Sequence, residues 1–217
     1  MSAKLPLTAE ILAASYFEPE FFFRTVLGFE HLAGDYVLEI ANSVRDNRVT
    51  RVQAGRGVAK SHTLGCLAAW WFTVLPGSAV FLTGGVYRQV KNAYAECKKA
   101  MRNAPYELPG RVLDTEVKSD TDEHWRIVSF AAKNADAALG GHAEHVLVLA
   151  DEASGMDPGI AVALEGCLAG PHDRIVWSGN PLHVSGYFAE LASKPHVHNI
   201  SISCKETINY RTGENLI

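Results

Sequence analysis

Residues 53–63 read QAGRGVAKSHT. The stretch ends in Lys60-Ser61, the lysine and hydroxyl that close a phosphate-binding loop of the pattern GxxxxGK[ST]. The two glycines of that pattern fall on Ala54 and Ala59, while Gly55 and Gly57 stand one position and two positions away from them. Such a loop works because successive backbone N–H groups and a helix N-terminus face an anion. Glycine is needed where φ is positive or where a side chain would meet the phosphate. Gly55 and Gly57 can meet part of that need, and Ala59 is the smallest replacement for a glycine. The stretch is therefore either a displaced phosphate loop or a Lys-Ser that follows two glycines by chance.

The flanking sequence favours the loop. RVTRVQAG (48–55) is short, β-branched and closed by glycine, which predicts a strand, and KSHTLGCLAAWWFTV (60–74) predicts an apolar helix. Upstream, 8–28 and 34–46 read as helical, with Thr8 and Asp35 as N-caps. Downstream, SAVFLTGG (78–85) is a strand and YRQVKNAYAECKKAMRN (87–103) an amphipathic helix. RVLDTEVKSD and HWRIVSFAA read as an antiparallel pair around an acidic turn. HVLVLADEA (145–153) is a nearly continuous apolar strand, as a central parallel strand requires. Helix 158–170, strand 173–181, a short helix at 184–193 and a last strand at 196–204 complete the pattern. Strands alternating with helices imply an α/β fold with a mostly parallel central sheet flanked by helices.

Three polar segments fall at the carboxyl ends of strands, where such sheets bind ligands: GRGVAKS, DEAS and SGNP. Lys60 can meet the β/γ-phosphates and Ser61 can bind Mg2+. Asp151 ends an apolar strand and can hold the metal opposite Ser61, while Glu152 can orient and deprotonate a water. Alone, the Asp-Glu pair reads equally as a strand end and a helix cap. Ser178 and Asn180 can bond a γ-phosphate or Glu152, although SGNP is also good turn chemistry. Together the three segments predict a P-loop NTPase of the ASCE/RecA-like kind that hydrolyses a nucleotide.

Bulk composition sets outer limits. The 217 residues suffice for one good-sized domain, and 47% apolar with 20% charged is an ordinary globular balance. A net charge of -4, from 20 basic and 24 acidic residues, argues against a protein coated for nucleic acid but leaves room for a local patch. No apolar run approaches a membrane span, and Cys66, Cys97, Cys167 and Cys204 form no CxxC. The scattered histidines, His142 with His145 and His196 with His198 included, form no metal-site spacing.

Loop, acidic strand and SGNP, in this order and spacing, resemble the ATPase domain of phage terminase large subunits, the DNA-packaging motors. The resemblance covers roughly residues 30–210, and in that family the loop is a deviant form with an internal arginine and displaced glycines. It implies ATP and Mg2+ as cofactors, held by the loop residues Gly55, Arg56, Gly57, Val58, Ala59, Lys60, Ser61 and His62, with Asp151 on the metal. Glu152 would be the catalytic carboxylate, with Lys60 and Arg56 acting on the phosphates. Ser178 to Asn180 would be the coupling motif and Tyr36 the aromatic against adenine. Three positions depart from the family: Ala59 for a glycine, Val37 for a glutamine beside Tyr36, and Gly140 where an arginine is expected. Arg88, Arg102 and Arg126 are then the candidates for an arginine acting on a neighbouring subunit.

The resemblance further implies double-stranded DNA, a portal protein and a small terminase subunit as partners. It implies a homo-oligomeric ring when active and a monomer when isolated, in the host cytoplasm with no membrane attachment. Residues 1–30 are expected to be an N-terminal helical segment and 31–217 the ATPase domain, with no nuclease domain and no nuclease activity. The helix bearing Arg88, Lys91, Lys98, Lys99 and Arg102 is either the DNA grip or a solvated face; Lys91, Lys98 and Arg102 share one side by their spacing. Two rival readings stand beside the motor: a helicase-like DNA-dependent ATPase, and a nucleotide-binding assembly module inactive without partners.

Overall fold

The computed structural model describes residues 3–85, 87–132, 143–182 and 184–216. Its N-terminal part is helical. α1 (Ala9–Phe17) is capped by the Thr8 side chain, which accepts from the Ile11 amide. α2 (Pro19–Phe21) runs on into a π-helical turn, Phe22–Val26. α3 (Tyr36–Asp46) follows. Asp35 occupies its N-cap position but makes no capping bond there; its backbone is already helical, and its carboxylate instead accepts from Arg211 at 2.7 Å. The expected cap is thus replaced by a tie to the chain's last helix.

The alternation that follows is β1 (Val49–Ala54), α4 (Lys60–Val74), β2 (Ser78–Gly84) and α5 (Tyr87–Asn103). Then come β3 (Arg111–Val112), β4 (Glu116–Lys118), β5 (Arg126–Ala131) and β6 (His145–Asp151). α6 (Pro158–Gly166), β7 (Arg174–Gly179), α7 (Tyr187–Glu190), β8 (Val197–Ile202) and α8 (Ile208–Thr212) close the described chain. The stretch 111–120 is two short strands rather than one. Thr115 O accepts from both the amide and the hydroxyl of Ser129, and Leu113 N reaches Glu116 O, so the chain turns between them.

The eight strands form one sheet in the order β3-β4-β5-β2-β6-β7-β1-β8, parallel from β5 to β8 and antiparallel at β3 and β4. Strand periodicity sorts side chains into two apolar layers. In β6, Leu147 and Leu149 enter the layer under α1 to α5, while Val146, Val148 and Ala150 enter the layer under α6 and α7. This two-sided burial is why that strand reads as an unbroken apolar run. α4 is buried around almost its whole circumference, from Thr63 to Val74. α5 is amphipathic: Val90, Ala93, Tyr94, Cys97, Ala100 and Met101 face the core.

One consequence of the strand order decides the site. β7 lies between β1 and β6. The loop after β1, the acidic pair after β6 and the polar turn after β7 therefore meet at one end of three neighbouring strands. Among the described residues no helix is long and apolar enough to cross a membrane, and no group of three or more metal-ligating side chains is assembled. Gly140 and His142 lie outside the described residues.

Candidate functional site: the β1, β6 and β7 strand ends

The loop leaves β1 at Ala54 and enters α4 at Lys60. Gly57 has φ +77°, a conformation that L side chains rarely adopt, so this glycine supplies one of the loop's left-handed turns. Gly55 has no such φ, and a methyl there would meet nothing within 4 Å in the chain itself. The second left-handed residue is Ala59, with φ 51° and ψ 34°, immediately before α4. It stands where the usual pattern has glycine, and it adopts the conformation that glycine would.

An alanine held there costs about 1–2 kcal/mol relative to its relaxed backbone. Ala59→Gly should therefore raise the unfolding free energy by roughly 0.5–1 kcal/mol, once the extra freedom of glycine in the unfolded chain is subtracted. Denaturant unfolding measures this. Equal or lower stability in the variant would show that the loop does not hold the left-handed turn in solution.

The Lys60 ammonium donates to Gly55 O and to Asn180 Oδ1, both at 2.8 Å, spanning the loop's start and the β7 turn. Ser61 Oγ donates to Asp151 Oδ2 at 3.2 Å, and the Glu152 amide donates to Asp151 Oδ1 at 2.9 Å. Asp151 is 3% exposed. Burial pushes its carboxyl above the usual range, against the opposing pull of the Glu152 amide, the Ser61 hydroxyl and the Lys60 charge. A desolvated carboxylate beside a hydroxyl is a hard-oxygen pair suited to a divalent cation such as Mg2+. Glu152 has φ 52° and ψ 41°. Ala59 and Glu152 are the two non-glycine residues of positive φ among the described residues, and both lie at this site. Strained backbone of this sort persists where surrounding structure over-determines it.

Arg56, Gly57, Val58, Ala59, Lys60, Ser61, His62 and Glu152 line a cleft of about 520 Å³ together with Glu96 of α5. His62 Nδ1 lies 2.9 Å from Glu96 Oε2. Ser178 and Asn180 are buried at the end of β7. The structure thus brings together Gly55, Arg56, Gly57, Val58, Ala59, Lys60, Ser61, His62, Asp151, Glu152, Ser178 and Asn180.

Tyr36 is placed differently from the expectation. Its ring is 3% exposed, inside the core, and offers no face on which a base can stack. Its hydroxyl donates to Val58 O at 2.9 Å, so Tyr36 props the loop from beneath. Burial, with the nearby Glu206 carboxylate, pushes that phenol up to about 12. Val37 beside it is also core. Gly34 explains how the ring fits: a methyl there would lie 2.4 Å from it and 2.8 Å from Glu206 O. Sequence reasoning had no local signal for this contact, since Tyr36 and Val58 are 22 residues apart.

Arg51 on β1 likewise carries no signal in the local sequence pattern. It is 6% exposed, donates to Phe188 O and Gln53 Oε1, and lies 4.2 Å from the Phe188 ring centroid. It ties the strand before the loop to α7, which follows the β7 turn.

A phosphate-type loop, an acidic pair and a polar turn on three adjacent parallel strand ends make this chain a P-loop NTPase in fold. Residues 51–177 match the family model for the RNA cytidine acetyltransferase NAT10/TcmA helicase domain, more than half of the chain, and the chain belongs to that family. The matched span runs from β1 to β7, the part of the sheet that carries the site.

A curated relative, the probable terminase large subunit of Enterobacteria phage P7, is 28% identical over 172 residues. That match takes in 72% of this chain and 34% of the relative, so the chain spans about a third of that protein's length. Among solved structures, an arginine-to-alanine mutant of the Thermus phage P74-26 large terminase ATPase domain aligns with TM-score 0.68 at 15% identity, over 86% of each chain. The large terminase of a thermophilic bacteriophage, in complex with ADP, aligns with TM-score 0.62 at 9% identity, over 81% of this chain and 46% of that one. The resemblance of the motifs to terminase large-subunit ATPase domains therefore extends to the fold over 86% of the chain.

Proposed function

We propose that this chain binds Mg2+-ATP at the loop and hydrolyses it as the ATPase domain of a motor that drives double-stranded DNA into a procapsid. The observation that carries this reading is the convergence of Lys60, Ser61, Asp151, Glu152 and Asn180 from three neighbouring strand ends. Lys60 and the amides of Gly55 to Ser61 hold the phosphates. Ser61 and Asp151 would hold the metal, which when bound would neutralise charge on the phosphates. Glu152 orients a water and takes its proton as the water oxygen bonds to the γ-phosphorus. The bond from that phosphorus to the β–γ bridging oxygen breaks, and ADP leaves with the electron pair. Arg56 stands in the same cleft to meet the developing charge, and Asn180 reports occupancy through Lys60.

The DNA grip, on this reading, is α5. Its exposed basic residues are Arg88, Lys91, Lys99 and Arg102. Lys98 departs from the spacing argument: it is half-buried, 5.0 Å from the Tyr94 ring centroid, with its ammonium donating to Asp114 O. Lys99 takes its place in the exposed row. Contacts of this kind bind phosphates without reading sequence and weaken steeply with salt. The portal protein, the small terminase subunit and a ring of copies complete the proposed assembly in the host cytoplasm.

Steady-state ATP turnover, with and without duplex DNA, tests the reading. Measurable Mg2+-dependent hydrolysis that rises with DNA of any sequence is the expected result. Nucleotide binding with no hydrolysis under either condition would favour the assembly-module reading. The helicase-domain family match gives the second reading its support. Strand separation by the chain, rather than translocation along intact duplex, would favour it.

A further inference from the structure

Arg51 is the one cation buried among the described residues, and none of those residues forms an ion pair with it. It donates instead to neutral oxygens on three elements: Phe188 O of α7 at 2.7 Å, Gln53 Oε1 of β1 at 2.9 Å and Asn199 Oδ1 of β8 at 3.5 Å. Taking a guanidinium out of water with no counter-charge is costly. What these bonds secure is position, because a planar fork held from three sides has one orientation. The centre of that plane lies 4.2 Å from the centroid of the buried Phe188 ring, within cation–π range.

The same ring reaches the end of β7. A methyl built on Gly179 would lie 3.4 Å from Phe188 Cζ, 3.3 Å from Ala153 N and 3.0 Å from Ser154 N. Gly179 is thus where the Phe188 ring and the backbone that follows Glu152 close on one strand, and the lack of a side chain permits that approach. α7 also packs directly on this backbone, the 3-10 turn Ala153–Gly155, and Ala153 shares an apolar layer with Phe188. The turn is closed by Gly155 N donating to Glu152 O at 3.3 Å and Met156 N donating to Ala153 O at 3.1 Å. The left-handed backbone of Glu152 is therefore held by what packs against the residues just after it.

We propose that Arg51 and Phe188 are positioning residues for Glu152: the guanidinium fixes the ring, and the ring, across Gly179, fixes the turn that sets the direction of the carboxylate. The inference rests on the hydrolytic reading above and deepens it. Neither residue is among those that line the cleft at the loop, so neither meets the nucleotide. Their effect falls on rate. A base displaced by about an ångström loses much of its advantage, while Lys60 and the loop amides keep their hold on the phosphates.

Single-turnover hydrolysis and calorimetric titration with Mg2+-ATP test the proposal, on protein whose folding is checked by circular dichroism. Phe188→Leu keeps apolar bulk and the carbonyl that Arg51 holds, but loses the ring. Arg51→Met keeps an unbranched side chain and loses the donors. Each should slow hydrolysis about ten- to a hundredfold while ATP affinity stays unchanged. The second readout is the Glu152→Gln background, where the base is already missing. There Phe188→Leu should cost nothing further, because residues that act as a unit are not additive. A role in general stability would instead slow both backgrounds by the same factor, or lower affinity in step with rate. Either of those results, or a wild-type rate in either single variant, would overturn the proposal. Failure of the hydrolytic reading is distinguishable, because Glu152→Gln would then turn over as fast as the wild type.

Discussion

Glu152→Gln is expected to bind Mg2+-ATP within about twofold of the wild type and to turn it over at least a hundredfold more slowly. General-base catalysis contributes about 10²–10⁴ in rate, and the amide keeps the carboxylate's shape while losing its capacity to accept a proton. The backbone should be undisturbed. The bond that sets the left-handed turn at position 152 comes from its amide to Asp151 Oδ1, not from its side chain. Single-turnover hydrolysis alongside a binding isotherm gives both numbers. Unimpaired turnover would move the base elsewhere and leave Asp151-Glu152 as a strand end followed by a 3-10 turn.

Lys60→Ala should reduce nucleotide affinity by at least tenfold and as much as about 150-fold. A charge-assisted hydrogen bond contributes about 1.5–3 kcal/mol, and 1.4 kcal/mol is a factor of ten. The same change leaves Gly55 O and Asn180 Oδ1 without their donor. Gly55 is half-buried and Asn180 is buried, so leaving the Asn180 oxygen unpaired should cost about 1–3 kcal/mol in fold stability. Calorimetry against ATP and a denaturant melt separate the two effects. Equal affinity in variant and wild type would dissociate the loop from phosphate binding altogether.

How much of this was legible beforehand follows from the range of the interactions. α4 and α5 begin and end where the pattern of apolar residues places them, because a helix face is written in neighbouring residues. β6 could be read as a central strand from its apolar run, since burial on both faces leaves no polar alternation. The meeting of Lys60, Asp151 and Asn180 was legible through their common position at strand ends. Most of the departures are non-local. Asp35 became an ion-pair partner of Arg211 and not a cap, 176 residues away. Tyr36 found a carbonyl of the loop. The strand expected at 111–120 broke because Ser129 captures a carbonyl from the middle of it. α8 followed a strand after which the pattern offered no periodic run to read.

Between the resting and occupied states of the site, Lys60 has a choice of partner. In the chain alone its ammonium is shared between Gly55 O and Asn180 Oδ1. An arriving phosphate competes with an amide oxygen for the same protons, and a full negative charge wins over a dipole. On the proposed function, Asn180 is then released when phosphate binds; it stands at the end of β7, ahead of the exposed Leu182 and Val184 and of α7. Phe188 of α7 accepts from Arg51 on the strand that enters the loop. Lys60 thus holds Asn180 at one end, and Arg51 of the strand beneath holds Phe188 at the other. On that same proposal, exchange of a single hydrogen-bond partner at Lys60 changes the restraint at Asn180, which ties the chemical state of the site to what the exposed Leu182 and Val184 can touch.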